Sequence, residues 1–298
     1  MTMPNFLIIG AMKAGTTSIY KYLQAHPQIF MSHIKEPYFF LSENVPKFCG
    51  PGDDAPHLKI VTKIEDYQSL FQKICCYEKA IGEASVYYLS SQQSAALIHH
   101  HIPGVKLIVI FRQPADRAFS NYAARVRKGW EWLEFSQALE QEEKRIQQKW
   151  HPVWFYRQNG CYATHFKRYL KLFPREQMRV YLFEDFRINP EGMLQDIFAF
   201  LEVDQYFKPD LSIHYNIGGI PKSKILNRFI VRNSQFKTLL KYVFPAGMRC
   251  QIRTEISKHN TSKLKIDPEI RMRLTQDYRE EILQLQDMIH RDLSEWLV

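Results

Sequence analysis

At 298 residues, with 45% hydrophobic and 14% aromatic residues, the chain can bury a substantial core and is excluded from the disordered classes. Forty Lys/Arg against 31 Asp/Glu leave a net charge of +9, which suits anionic substrates or partners. No apolar run approaches the roughly 20 residues of a membrane span. Met1–Pro4 leads directly into the first apolar run, so neither a signal peptide nor an anchor is expected, and the expected location is the cytoplasm. Cys49, Cys75, Cys76, Cys161 and Cys250 lack C-x-x-C spacing, which argues against a disulfide framework or a zinc site; Cys75-Cys76 reads as a buried pair of free thiols.

Short β-rich apolar runs alternate with helical stretches. In chain order, strands are predicted at Phe6–Ile9, Ala80–Glu83, Leu107–Phe111 and Val180–Phe183. Helices are predicted at Thr17–Ala25, Ala115–Arg127, Thr164–Phe173, Glu191–Leu201 and Glu269–Ile289. Asn189-Pro190-Glu191 and Asp267-Pro268-Glu269 each read as an N-cap, a proline at the first helical position and an acidic first turn. In the last helix, Ile270, Leu274, Tyr278, Ile282, Leu285 and Ile289 keep a helical stripe that reads as core. Segments 43–60 and 214–224, rich in Pro, Gly and polar residues, read as surface loops. The alternation predicts a single α/β domain over residues 1–298, with a central mostly parallel sheet flanked by helices and a helical C-terminal portion from about residue 225. Ligands are then expected at the carboxyl edge of the sheet.

The first predicted strand runs into Gly10-Ala11-Met12-Lys13-Ala14-Gly15-Thr16-Thr17-Ser18. A strand, a glycine-bracketed loop and a helix N-terminus in that order make an anion cradle, because orphan amides and the helix dipole converge there. The G-x-x-x-x-G spacing mimics a Walker A loop, but Thr16 stands where that motif places its lysine, and the lysine lies inside the loop at Lys13.

A second block, Leu107–Phe111 followed by Arg112-Gln113-Pro114 and Ser120, completes a pair of motifs in fixed order. Together they resemble the phosphate-binding blocks of sulfotransferases that use 3′-phosphoadenosine 5′-phosphosulfate (PAPS), closest to the carbohydrate-type and bacterial branches. The resemblance runs from Asn5 to the Gly218-Gly219 loop. It implies that Lys13, Ala14, Gly15, Thr16, Thr17 and Ser18 surround the 5′-phosphosulfate, with Lys13 neutralising the leaving oxygen. It implies that Arg112 and Ser120 hold the 3′-phosphate, that Lys222 in a late flap meets the same phosphate, and that 3′-phosphoadenosine 5′-phosphate (PAP) is the product. No metal is required. Gln113 departs from the commoner residue beside the arginine, and Arg117 is an uncertain addition.

Glu36, in Lys35-Glu36-Pro37-Tyr38-Phe39-Phe40, resembles the carboxylate that takes the acceptor proton in the carbohydrate-type branch; the alternative is a Lys35–Glu36 surface pair. The small-molecule branch uses a histidine before the 3′-phosphate block instead, which brings in His99-His100-His101, although three consecutive histidines read more simply as an exposed helix end. Glu83, in Gly82-Glu83-Ala84-Ser85-Val86-Tyr87-Tyr88, resembles a segment lining the acceptor cleft, with Ala84 and Val86 replacing the family's lysine and proline. A heparan-type acceptor is thereby disfavoured. Phe183 takes a position where a tyrosine often contacts the adenine side.

The expected function is sulfuryl transfer to a hydroxyl on a carbohydrate, glycolipid or hydroxylated lipid. A P-loop kinase or NTPase is the alternative enzyme, and a polyanion-binding module is the non-enzymatic one. From Lys222 to Arg273 thirteen Lys/Arg face three acidic residues, a stretch suited to a polyanion or an anionic membrane surface. No nucleic-acid-binding motif is present.

Overall fold

The computed structural model describes residues 2–41, 48–51, 60–212, 220–221, 261–262 and 265–298. Five strands form its central sheet: β1 (Phe6–Gly10), β2 (Ile29–Met31), β3 (Ala80–Ala84), β4 (Lys106–Phe111) and β5 (Met178–Leu182); Ile220–Pro221 and Thr261–Ser262 pair separately and antiparallel. The five lie in the order β2-β3-β1-β4-β5, and every neighbouring pair is parallel. β1 is wholly buried, which is why its sequence is continuously apolar instead of alternating. The chain leaves β1 toward β2 and β3 on one side, then crosses to β4 on the other. This reversal opens a crevice at the carboxyl ends of β1 and β4.

The helices that matter for the crevice follow those two strands. α1 (Thr16–Ala25) returns from β1 and buries Ile19, Tyr20, Tyr22 and Leu23. It starts one residue earlier than predicted. α2 (Ile64–Ser69) and α3 (Ser94–His101) flank β3 and were not marked by any cap signal. α4 (Pro114–Arg127) follows β4, with proline in its first turn and the Gln113 side chain accepting the Asp116 N–H at 2.8 Å. The same buried side chain donates to Thr275 Oγ1 at 3.1 Å and to the Trp296 carbonyl at 3.2 Å. The departure at Gln113 is therefore a structural tie between α4 and the C-terminal segment.

Beyond α4 come α5 (Phe135–Glu140), α6 (Glu142–Gln147) and α7 (Tyr162–Leu170), then α8 (Phe183–Ile188) and α9 (Pro190–Phe200). β5 begins two residues before the predicted strand and stops at Leu182, because Phe183 opens α8. The Asp185 carboxylate accepts the Leu182 N–H at 2.8 Å and fixes that switch. The predicted last helix divides at Tyr278 into α10 (Pro268–Asp277) and α11 (Arg279–Ile289). Tyr278 is held by its hydroxyl, which donates to the Arg157 carbonyl at 2.7 Å. The predicted stripe still faces inward: Leu274, Tyr278, Ile282, Leu285 and Ile289 are buried.

Cys75 and Cys76 are exposed, not buried. They sit in the turn entering β3, where the Cys75 N–H donates to Glu78 Oε2 at 2.6 Å and the Glu78 N–H to the Cys75 carbonyl at 3.1 Å. Lys222, most of the 43–60 and 214–224 loops and most of the basic 222–273 stretch lie outside the described residues. Among the described residues, no helix is long and apolar enough to cross a membrane.

Candidate functional site

The loop between β1 and α1 is fixed from below by main-chain bonds, with the Ala11 N–H on the Ile110 carbonyl at 2.7 Å and the Ala14 N–H on the Ala11 carbonyl at 3.2 Å. Ala14 is fully buried under the loop, so its methyl anchors rather than binds. Lys13 has φ 69° and Gly15 has φ 87°, two left-handed residues that turn the loop into the helix. A side chain at Gly15 would also meet the Phe183 ring at 3.4 Å. Gly15 is the N-cap residue, and no side chain caps α1. Ser18 N–H folds back to the Gly15 carbonyl at 2.9 Å, which leaves the Thr16 and Thr17 N–H groups at the helix mouth.

That mouth opens into a cavity of about 510 Å³ lined by Lys13, Gly15, Thr16, Thr17 and Ser18. Arg112 and Ser120 line it as well. Arg112 leaves the end of β4, donates to the Lys13 carbonyl at 3.0 Å and lies over the Phe183 ring at 4.7 Å. Its guanidinium is thus aimed by the loop and by a stacking face, and Phe183 acts on the arginine as its platform. Arg117 is elsewhere: it is fully buried beneath α4, donates to the Tyr156 carbonyl and does not line the cavity.

Glu36 lines the same cavity from a turn that runs beside the end of β3. Its N–H donates to the Ala84 carbonyl at 3.0 Å, and both Glu36 (φ 65°) and Tyr38 (φ 57°) occupy the left-handed region. Non-glycine residues held there mark a conformation the surroundings enforce. Lys35 Nζ lies 2.5 Å from Glu36 Oε1, and the buried Tyr38 hydroxyl donates to Oε2. The pair with Lys35 and the place in the cavity coexist.

Behind this turn lies Glu83, fully buried and absent from the cavity wall. Ser85 Oγ donates to it at 2.8 Å while accepting the Tyr38 N–H at 3.2 Å, and Tyr67 donates at 3.3 Å. Burial pushes the Glu83 carboxyl up to about 7 despite these donors. Glu83 therefore braces the Glu36 turn through Ser85 and Tyr38. His99, His100 and His101 are exposed at the end of α3 and do not line the cavity.

Sequence reasoning missed one wall. The C-terminal end of α4 contributes Arg125, Arg127 and Lys128, followed by Trp130. Gly129 (φ 64°) stops the helix, and the Trp130 N–H reaches back to the Arg125 carbonyl at 3.0 Å. The indole is thereby folded against Lys128 at 4.6 Å and Arg125 at 5.2 Å. The segment is pinned by the buried Glu131–Arg145 pair at 2.8 Å and by Tyr156 at 2.9 Å from Glu131. The Lys128-Gly129 stop was the available signal for this wall.

Among the described residues the cavity carries five cations, Lys13, Arg112, Arg125, Arg127 and Lys128, and one carboxylate, Glu36. Burial, and then repulsion from Arg127, Arg125, Arg112 and Lys128, hold the Lys13 ammonium down to about 7. Burial and neighbouring arginines likewise lower Lys128 to about 8, against the pull of Glu36. A wall so charged is made for an anion. The residues fit a phosphosulfate donor: main-chain donors and Lys13 on one side, a bidentate arginine with a hydroxyl on the other.

The family model described as "Sulfotransferase family" matches residues 4–208. Membrane-associated sulfotransferase kil1 of Dictyostelium discoideum is 33% identical over 124 residues, 41% of this chain and 23% of that protein. Bifunctional heparan sulfate N-deacetylase/N-sulfotransferase 2 of Bos taurus is 26% identical over 230 residues, 72% of this chain and 24% of that protein. The chain spans about a quarter of the length of these curated relatives. A solved sulfotransferase structure from Alicyclobacillus acidocaldarius matches with a TM-score of 0.79 at 34% identity, covering 99% of both chains. With the Lys13–Ser18 and Arg112–Ser120 blocks on one crevice and a match running through both, the chain belongs to the sulfotransferase family.

Proposed function

We propose that the protein transfers a sulfuryl group from PAPS to a hydroxyl, with a carbohydrate-type acceptor favoured over a glycolipid or hydroxylated lipid. The observation that carries this reading is that Lys13, the Arg112–Ser120 pair and Glu36, far apart in sequence, line one cavity. Relatives named for heparan sulfate and as carbohydrate sulfotransferase 15 support the lean toward sugars as a class, while Ala84 and Val86 set this chain apart from the heparan pattern.

PAPS supplies the sulfuryl group on a phosphate leaving oxygen. The loop amides of Thr16 and Thr17 with the Ser18 hydroxyl hold the 5′-phosphate end, and Arg112 with Ser120 reads the 3′-phosphate. Lys222 is proposed as a further contact to that phosphate. Glu36, held by Tyr38 and Lys35, accepts the proton of the acceptor hydroxyl as its oxygen bonds to sulfur. Lys13 compensates charge as the sulfur–oxygen bond to the leaving phosphate breaks. Positioning and charge supply most of the catalysis, as in phosphoryl transfer. With Thr16 in the place of the Walker lysine, an ATP-dependent kinase is the weaker reading.

Two measurements test this. Label from radioactive PAPS is expected to pass to members of a panel of glycans, glycolipids and hydroxylated lipids. In calorimetry, PAP is expected to bind at least about tenfold more tightly than ADP, since the 3′-phosphate adds a bidentate charged contact. Equal affinities would remove the donor assignment.

A further inference from the structure

A two-point contact between an arginine and a phosphate depends on the plane of the guanidinium fork, so whatever holds the end of β4 and the face beneath Arg112 bears on binding. Three supports reach that point, and all of them lead to the C-terminal segment. The buried Gln113 amide donates to Thr275 Oγ1 on α10 at 3.1 Å and to the Trp296 carbonyl at 3.2 Å. The Arg112 carbonyl accepts the Tyr162 hydroxyl at 3.0 Å, and the buried Trp296 indole packs on the Tyr162 ring with centroids 6.4 Å apart. Just beyond α11, Arg291 makes a two-point pair with Asp185 at 2.9 and 3.2 Å. Asp185 is the residue that fixes the β5–α8 switch, on which Phe183 stands beneath Arg112.

Thr275, Arg291 and Trp296 do not line the cavity, so they touch no ligand there themselves. The α10–α11 stripe of Leu274, Tyr278, Ile282, Leu285 and Ile289 already docks the segment by apolar burial. The polar ties are additional to that packing, and they converge on the main chain, the neighbour and the platform of one arginine. Resting on the reading in which Arg112 holds the donor's 3′-phosphate, we infer that the C-terminal segment is a buttress for 3′-phosphate recognition, with Gln113 and Arg291 as positioning residues for Arg112. Gln113 acts through the end of β4, and Arg291 acts through Asp185 and Phe183. Releasing either support lets the guanidinium swing, which weakens the two-point contact and leaves the loop amides at the 5′ end as they were.

The test compares PAP with ADP, which lacks the 3′-phosphate, by calorimetry on the full chain. Gln113→Asn keeps an amide that can cap α4 but is one methylene too short for Thr275 and Trp296. It is expected to weaken PAP binding by about tenfold and to leave ADP within about twofold, so that the PAP-to-ADP ratio narrows. Arg291→Gln removes an exposed pair, is expected to narrow the ratio by about threefold, and serves if the asparagine variant fails to fold. In an Arg112→Gln background neither change should affect PAP further, because nothing is left to position. A purely packing role would instead lower the melting temperature and weaken both nucleotides alike. That result, an unchanged ratio in the variants, or an equal loss of PAP affinity with and without Arg112 overturns the inference. A wild type that binds PAP and ADP equally overturns the donor reading, and this inference with it, before any variant is made.

Discussion

The loop after β1 and the turn around Glu36 face each other across one cavity and are built on opposite plans. On the side proposed for the donor the recognition elements are main-chain amides, set by two left-handed residues and by the start of α1, with Lys13 and Arg112 adding charge. On the side proposed for the acceptor they are side chains: Glu36 on a strained turn braced by Tyr38, Ser85 and Glu83, opposite the α4 end. A donor common to a whole family suits a site made of backbone, which side-chain variation cannot easily erode. An acceptor that differs between members suits side chains on loops and helix ends, which change one residue at a time.

Substitutions on each side sharpen that contrast. The largest effect is expected from Glu36→Gln, a near-isosteric change that removes the proposed proton acceptor. Turnover should fall by about 10²–10⁴-fold with PAP affinity and thermal stability unchanged, and the acid limb of the rate profile should disappear. An active Glu36→Gln enzyme together with an inactive His99–His101 variant would transfer the base to the histidines and break the comparison.

Next comes Lys13→Ala, expected to lower turnover by about 10²-fold, the scale of one lost transition-state donor, with a much smaller change in PAP affinity. Retained turnover with lost nucleotide binding would make Lys13 an anchor. The smallest effect tests the backbone itself. Gly15→Ala puts a methyl at φ 87° and 3.4 Å from the Phe183 ring, which supports Arg112. PAP affinity should drop by roughly tenfold, with about 1–2 kcal/mol of stability lost to left-handed strain, while acceptor affinity is unchanged. Unaltered PAP binding would show that the amide cradle is not what holds the donor.

The same contrast explains what could be read from the chain. β1, β4 and the helices after them are legible because buried parallel strands appear as continuous apolar runs and because Gly15, Pro114 and Pro190 punctuate the boundaries. β5 was displaced by two residues since Phe183, apolar and aromatic, is as good a strand end as a helix start. The α10–α11 break at Tyr278 left no mark, because it is imposed by a hydroxyl bonded to a residue over 100 positions away. Arg125 and Lys128 hid in an ordinary polar helix end: the Lys128-Gly129 stop marks where the helix ends, but not whether its cations face a cavity or water. Glu83 was visible as part of a motif, yet its burial behind the turn depends on Ser85, Tyr67 and Tyr88, which only the fold brings together.

The crowding of cations around Lys13 has a consequence for how the site acquires charge. With its ammonium held down to about 7, the unliganded lysine is largely neutral at pH 8. Burial is the first cause of that lowering and repulsion from the four surrounding cations the second; an arriving phosphate offsets the repulsion and is expected to raise the lysine's hold on its proton, so that the complex takes up a proton the free protein lacks. Below pH 6 the lysine is already charged and no proton is taken up. Ligand affinity is therefore expected to fall as pH rises above about 7, and the heat of PAP binding at pH 8 to vary with the buffer's ionisation enthalpy. Heats that do not depend on the buffer would show the lysine charged throughout. The cation proposed for the leaving oxygen is in this sense delivered with the substrate: solvent supplies the proton, and the anion that needs the charge is what calls it in.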